Sequence, residues 1–469
     1  MTYLIIITVL AFLVLAIYKT EWSVLVLIAI LPVYLIRFKV GPLPTTLLEV
    51  MIWIAFAVWY IKEIKSAGGI KKYWQSRDKR QPYPFRNEII LLIIVAYLGA
   101  AVAGFSLSAL GTWRAYFFEP LLVFILVINY FKSRGGLDKI IWALIVSASA
   151  ISLGALVQKF LGMMIINNSF ALDNRATSFF PYPNAIGLYL APLVLLFIGF
   201  GLKTLKQKIS VMTIWKLAFI LGSILLSLTA IYLAQSEGAL FGIAAGLLIG
   251  GLIYNWQTRV ITIALILAVG GFILTDDTGQ AYFKSKIFLQ DSAGQIRLEQ
   301  YKETKKMALA EPSRFLTGAG LSNFQAAVAP FHQKGIFLYN GDKDWAIKLS
   351  KSHDYRQMLW LPIDNYMYPH NIFLNFWSEI GLLGLILFIW LFIKFFIIAF
   401  RVFKHQSRLE IENQYLTWGL IAAMVALIVH GLVDVPYFKN DLAILFWILF
   451  AILGIIELHF KNHGRHGFR

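Results

Sequence analysis

The chain has 469 residues, of which 59% are hydrophobic and only 14% charged, and its mean hydropathy is +0.70. That usage excludes an ordinary soluble domain and implies an integral membrane protein. The chain carries a formal charge of +17 and no cysteine, so no disulfide holds any part of it.

Apolar runs recur along nearly the whole length, and a helix needs roughly 20 such residues to cross about 30 Å of hydrocarbon. A closed barrel would instead show short alternating segments. The expected fold is therefore an all-α polytopic membrane protein with about 12 or 13 transmembrane helices. In chain order the spans fall near 2–17, 22–36, 46–61, 88–107, 113–131, 138–161, 185–202, 213–235, 237–254, 258–275, 370–396, 414–435 and 440–459. The first two are short for full crossings, which leaves the side of the N-terminus open. The opening MTYLIIITVLAFLVLAIYKTEW has no basic flank before its apolar run and no clear small-residue cleavage site, so it reads as a retained span.

Positive loops stay in the cytoplasm. The segments YIKEIKSAGGIKKYWQSRDKRQPYPFRNE, FKSRGGLDK, LKTLKQKIS and RVFKHQSR, with the tail KNHGRHGFR, are all basic and alternate in register with the spans. The stretches around Arg114 and Arg175, the segment 276–369 and DVPYFKND then lie on the extracytoplasmic face of the cytoplasmic membrane. Topology and attraction to anionic headgroups account for most of the positive charge without nucleic acid as a partner.

The single membrane domain 1–469 thus carries one long insertion, 276–369, rich in aromatics and expected to lie as helices over the outer surface. Within it Asp291 or Ser292 can cap a helix running to about Ala310, Pro312 ends that helix, Gly318 and Gly320 form a turn, and Ser322 caps a second helix. A Gly-X-Gly turn before a helix presents backbone N–H groups that can hold a phosphate, although a plain turn is the commoner outcome.

Charged groups at membrane level are costly and call for partners or a polar cavity. Glu49, Arg114, Glu119, Glu237, Glu379, His430 and Asp434 all sit in or at the ends of spans, and for Glu49, Glu119 and Glu379 mutual pairing or an interfacial position is the plain reading. Arg175 precedes ATSFFPYPNAIGLYLAPLVLL, so a guanidinium and Asn184 stand at the mouth of a helix; His370 and Asn371 stand where MYPHNIFLNFWSEIGLLGLILFIW enters the membrane. No phosphate loop in the insertion points to a nucleotide.

Four segments, in order, resemble the O-antigen ligase and O-antigen polymerase superfamily of membrane glycosyltransferases, a resemblance that covers most of the chain from about residue 88. They are RATSFFPYPNAIGLYL, GQIRLEQYKETKKMALAEPSRFLTGAGLSNF, PHNIFLNFWSEIGLLGLILF and VHGLVDVPYFKNDLAILFWILFAILG. The chain departs from the family at AQSEGALFG, where Glu237 stands in place of a basic residue. The resemblance implies transfer of a glycan from an undecaprenyl-diphosphate donor to a glycan or lipid-glycan acceptor hydroxyl, with inversion and without metal or other cofactor. It implies His370 as general base and Arg175 and Arg297 as the diphosphate clamp. Asn184, Gly318, Gly320 and Asn371 would be further substrate contacts, and Asp434 or Asp364 a support for the histidine. A polymerase acting on one carrier lipid is the alternative within this chemistry. A lipid or solute transporter is the alternative outside it, but that reading expects broken helices in two related halves, whereas the unusual polar residues here gather at one face.

Overall fold

The structure is a computed structural model that describes residues 2–77, 83–133, 135–163, 174–405 and 411–466. Parts of the basic loops and of the tail (78–82, 134, 406–410 and 467–469) lie outside the described residues. The protein is an all-helical, multi-pass membrane protein. Among the described residues nine helices are long and apolar enough to cross a bilayer: Leu107–Phe131, Gly136–Leu161, Asn184–Leu205, Val211–Leu233, Glu237–Tyr254, Trp256–Ile273, Ile372–His405, Asn413–Gly431 and Asn440–Lys461. Three further apolar helices, Thr2–Tyr18, Leu47–Ser66 and Arg86–Val102, match the remaining spans read from sequence except one.

That exception is the run 22–36. Its helix, Thr20–Ala29, stops after ten residues, and a 3-10 turn over Leu31–Leu35 and a small antiparallel hairpin, Arg37–Val40 with Leu43–Thr46, follow it. Pro32 sits in the first turn of that 3-10 segment; lacking an N–H, it cannot continue the preceding helix. Ten residues rise about 15 Å, half a bilayer.

Burial sorts the helices. Asn184–Leu205 and Asn440–Lys461 are enclosed along most of their length, while Trp256–Ile273 exposes almost all of its apolar surface, as a helix facing lipid would. Three charged groups inside this bundle, Glu49, Arg114 and Glu119, find one another, as their cost in lipid requires. Arg114 bridges Glu49 at 2.7 Å and Glu119 at 3.3 Å, and Asn440 donates to Glu49 at 3.1 Å.

The 276–369 insertion folds as a cap of short helices. Asp291 caps Ser292–Leu309 by accepting the Gly294 N–H, and Pro312 opens the short helix Pro312–Thr317 that follows. Ser322 does not cap the next helix, Phe324–Val328: it adopts a left-handed backbone (φ +58) and its N–H points to the Glu379 carboxylate at 2.6 Å. Phe324 is buried, and Phe315 packs edge-on against Trp377, whereas Trp360 stays largely exposed.

The cap is fastened where the Ile372–His405 helix breaks. At Gly381 the backbone turns to φ +74, ψ −175, outside the range open to a residue with a side chain. A Cβ there would sit 2.0 Å from the Leu316 carbonyl. Into this break fits the Gly318–Gly320 turn, with Ala319 N–H donating to Ser378 O at 2.6 Å, Leu321 N–H to Gly99 O at 3.1 Å and Trp377 Nε1–H to Phe315 O at 2.9 Å.

Candidate functional site

Helix order brings four connections to one end of the bundle: the approach to Asn184, the turn at 234–236, the cap, and the segment 432–439. Most of the residues singled out in the sequence lie there, although they come from helices far apart in the chain.

Arg175 is held by three acceptors. Its Nε donates to Ala234 O at 3.1 Å, and one terminal nitrogen reaches Asn184 Oδ1 at 3.0 Å and Gln235 O at 3.5 Å. The Asn184 amide in turn donates to Asp434 Oδ2 at 3.1 Å, and the other Asp434 oxygen accepts the Val435 N–H. Arg175, Asn184 and Asp434 thus form one chain of charge-assisted hydrogen bonds. It ends on a carboxylate that is only 3% exposed.

The field of that carboxylate reaches His370. The histidine is a non-glycine residue at φ +38, a conformation that costs on the order of 1–3 kcal/mol and persists only when its surroundings impose it. They do so from both sides. The Tyr301 hydroxyl, from the cap, lies 3.1 Å from the His370 carbonyl and 2.7 Å from that of Leu432, while the Asn371 amide donates to Leu432 O at 3.0 Å. Burial pushes the Tyr301 hydroxyl up to about 12, so it remains a donor at neutral pH. The imidazole is boxed by the rings of Tyr366 and Tyr368, with centroids at 5.2 and 4.8 Å, and its Nδ1 lies 2.9 Å from Gln300 Oε1.

The electrostatics favour a neutral ring. Burial pulls the His370 pKa below its ordinary value, the Asp434 charge pushes it back up, and the Arg297 charge lowers it again. Arg297 lies on the cap helix one turn before Gln300 and Tyr301, near enough for its charge to act on His370, Tyr301 and Tyr366. No hydrogen bond or ion pair to another described residue takes up its guanidinium.

Asn371 acts on its own helix. Its Oδ1 accepts the N–H groups of Phe373 and Leu374, which makes it the cap of the long helix. Capping therefore does not fall to His370. Asp364 is exposed and lies beside Tyr366; of the two acids named from sequence, Asp434 is the one whose field reaches the imidazole. Gly318 and Gly320 are not gathered at His370. Their turn meets the helix at Ser378 to Gly381, about 13 Å further along its axis, and the Ala319, Leu321 and Ser322 N–H groups are committed to protein acceptors. The close approach of backbone to backbone accounts for both glycines without an anion. Glu237, the departure from the family pattern, is likewise occupied: Lys286 of the cap pairs with it at 2.6 Å and the Tyr282 hydroxyl donates to it at 3.2 Å.

Residues 222–389 match the family model described as O-antigen ligase. That stretch is similar to an O-antigen ligase domain. The match takes in the Glu237 turn, the whole cap with Arg297, and His370 through the Gly381 break; Arg175, Asn184 and Asp434 lie outside it. No curated protein matches the sequence. The match supports, in broad terms, a membrane enzyme of glycan transfer. Sequence reading missed Gln300 and Tyr301, although their spacing from Arg297, three and four residues, puts all three on one helix face.

Proposed function

We propose that the protein transfers a glycan from an undecaprenyl-diphosphate donor to an acceptor hydroxyl at the outer face of the cytoplasmic membrane, without a metal. The observation that carries this reading is an oriented histidine within the field of a guanidinium that lacks a protein partner among the described residues: His370 held through Nδ1 by Gln300, and Arg297 one helical turn before that glutamine.

In this scheme the acceptor hydroxyl gives its proton to His370 Nε2 as its oxygen forms a bond to the anomeric carbon. The bond from that carbon to the diphosphate oxygen breaks on the opposite side, and its electron pair leaves with the undecaprenyl diphosphate. The anomeric centre inverts. Arg297 meets the growing negative charge with two parallel N–H donors, a geometry suited to diphosphate. Arg175 and Asn184 complete the anion site and hold Asp434, which stabilises the imidazolium formed during the reaction. Asn371 and the Gly318–Gly320 turn support the site through the backbone.

The test is purified protein in nanodiscs with an undecaprenyl-diphosphate oligosaccharide and a lipid-glycan acceptor, product being read by mass. Transfer to the acceptor with release of undecaprenyl diphosphate is the expected result. Extension of the glycan on a second carrier lipid would make the protein a polymerase. Donor binding with neither product would overturn the reading as a transferase.

A further inference from the structure

The cap helix Ser292–Leu309 contributes more to this end of the molecule than a single arginine. Gln300 is only 5% exposed, and its amide oxygen faces His370 Nδ1 at 2.9 Å. Its own carbonyl accepts the Thr304 hydroxyl at 2.6 Å, and one residue on, Tyr301 fixes the His370 carbonyl. Ring and backbone of His370 are therefore both gripped by adjacent residues of one helical turn.

A neutral imidazole carries its proton on one nitrogen, and the hydrogen bond made by the other face decides which. An amide oxygen can only accept. Its partner Nδ1 must carry the proton, and the lone pair is left on Nε2. If the amide were reversed, its NH2 would donate to Nδ1, the proton would reside on Nε2, and the ring would present a donor to the acceptor hydroxyl.

We propose that Gln300 is a positioning residue that fixes His370 as its Nδ1–H tautomer and so keeps the Nε2 lone pair directed at the acceptor hydroxyl. The inference rests on His370 acting as general base. The choice of an amide over a carboxylate is part of it: a carboxylate at this position would also orient the ring but would stabilise the imidazolium and withdraw the base at mildly acidic pH. Asp434 already supplies one negative field. A neutral second partner orients without adding another.

Two variants separate orientation from packing. Gln300→Met keeps the length and removes the polar atoms; Gln300→Glu keeps an acceptor and adds charge. In full-length protein in nanodiscs, with transfer measured across pH, Gln300→Met is expected to lower kcat on the order of 10-fold to 100-fold with little change in donor KM. Gln300→Glu is expected to restore much of that kcat at alkaline pH and to move the acid limb of the profile about one unit upward. Nitrogen NMR of histidine-labelled protein, with the His370→Asn spectrum subtracted, should show the Nδ1–H tautomer in the parent and a mixture in Gln300→Met. A wild-type kcat and acid limb in Gln300→Met, an Nε2–H tautomer in the parent, or equal losses in both variants with an unmoved limb would each overturn the role. His370→Asn tells the two failures apart. If it is inactive while Gln300→Met is fully active, only the role of Gln300 is lost; if it is fully active, the general-base reading fails first.

Discussion

The cap and the long Ile372–His405 helix segment meet twice, and the two meetings are built on opposite plans. At Glu379–Gly381 the contact is made by fastening: turn N–H groups on carbonyls and a carboxylate, an indole on a carbonyl, glycines where backbone touches backbone. At His370, nine residues earlier, the backbone is just as firmly held, by Tyr301 and Asn371, but the side chains are left incompletely matched. Arg297 has no described partner, and the imidazole has one ring nitrogen assigned. The first contact can be understood entirely as fastening. The second carries strain and unmatched charge, features that persist when a site is prepared for a ligand.

If this contrast is right, substitutions at the second contact should remove activity and spare the fold, and those at the first should do the reverse. The largest effect belongs to His370. His370→Ala and His370→Asn should each reduce transfer on the order of 100-fold to 10,000-fold, with thermal melting of His370→Asn in detergent close to that of the parent because Asn tolerates a left-handed backbone. Asn371 already caps the helix, so an active His370→Asn protein could not be explained by capping and would sink the general base.

Next is Arg297. Lysine supplies a point charge without the planar pair of donors, and Arg297→Lys should lose on the order of 100-fold in transfer while melting like the parent. Arg175→Lys should lose activity and stability together, because the Arg175 guanidinium also ties the Ala234 and Gln235 carbonyls to Asn184. Equal melting of both lysine variants would erase that distinction between the arginines. A third measurement uses pH. A general base works unprotonated, and burial together with Arg297 disfavours the protonated ring against the opposing Asp434 charge. The acid limb of kcat/KM should accordingly lie below the ordinary histidine value of about 6.5, and Arg297→Gln should move it upward by removing one repulsion; a limb above about 7 in the parent would contradict this balance.

The two contacts were also unequally legible in the sequence. Spans could be counted because roughly 20 apolar residues suffice to announce each one, and the one misread run, 22–36, failed where Pro32 interrupts a helix whose apolar composition continues unbroken. Arg175, His370 and Asp434 stood out because charge beside a membrane needs a reason. Their common setting depends on Asn184 touching Asp434 across 250 positions, which no local pattern encodes. The Gly318–Gly320 turn was legible as a turn, but what its N–H groups face is decided by Ser378, Gly99 and Glu379, so a phosphate cradle and a docking clamp looked alike. Gln300 and Tyr301 passed as ordinary residues of an amphipathic helix because neither residue type is unusual in a loop outside the membrane.

At the fastening contact, Gly381→Ala should cost on the order of 1–3 kcal/mol in stability, since any side chain meets the Leu316 carbonyl and the backbone is left-handed. Limited proteolysis should then cut the 276–369 cap faster, with activity per folded molecule falling less than in Arg297→Lys.

The smallest effect, and the sharpest probe of what this contact is for, concerns Glu379. Its carboxylate accepts the Ser322 N–H at 2.6 Å and is buried to 5% exposure. A glutamine presents an amide oxygen on the same stem, so Glu379→Gln should keep the bond and leave stability and transfer close to the parent. Glu379→Ala removes the acceptor and leaves a backbone donor in a place water reaches poorly, at a cost of about 1–3 kcal/mol. A carboxylate that took part in the chemistry, by accepting a proton or holding a cation, would give the opposite ranking: Glu379→Gln would be as inactive as Glu379→Ala while melting like the parent. Transfer and melting measured on the two variants side by side therefore decide whether the two contacts differ in kind. An inactive, stable Glu379→Gln protein would extend the reacting site into the clamp and dissolve the division drawn between them.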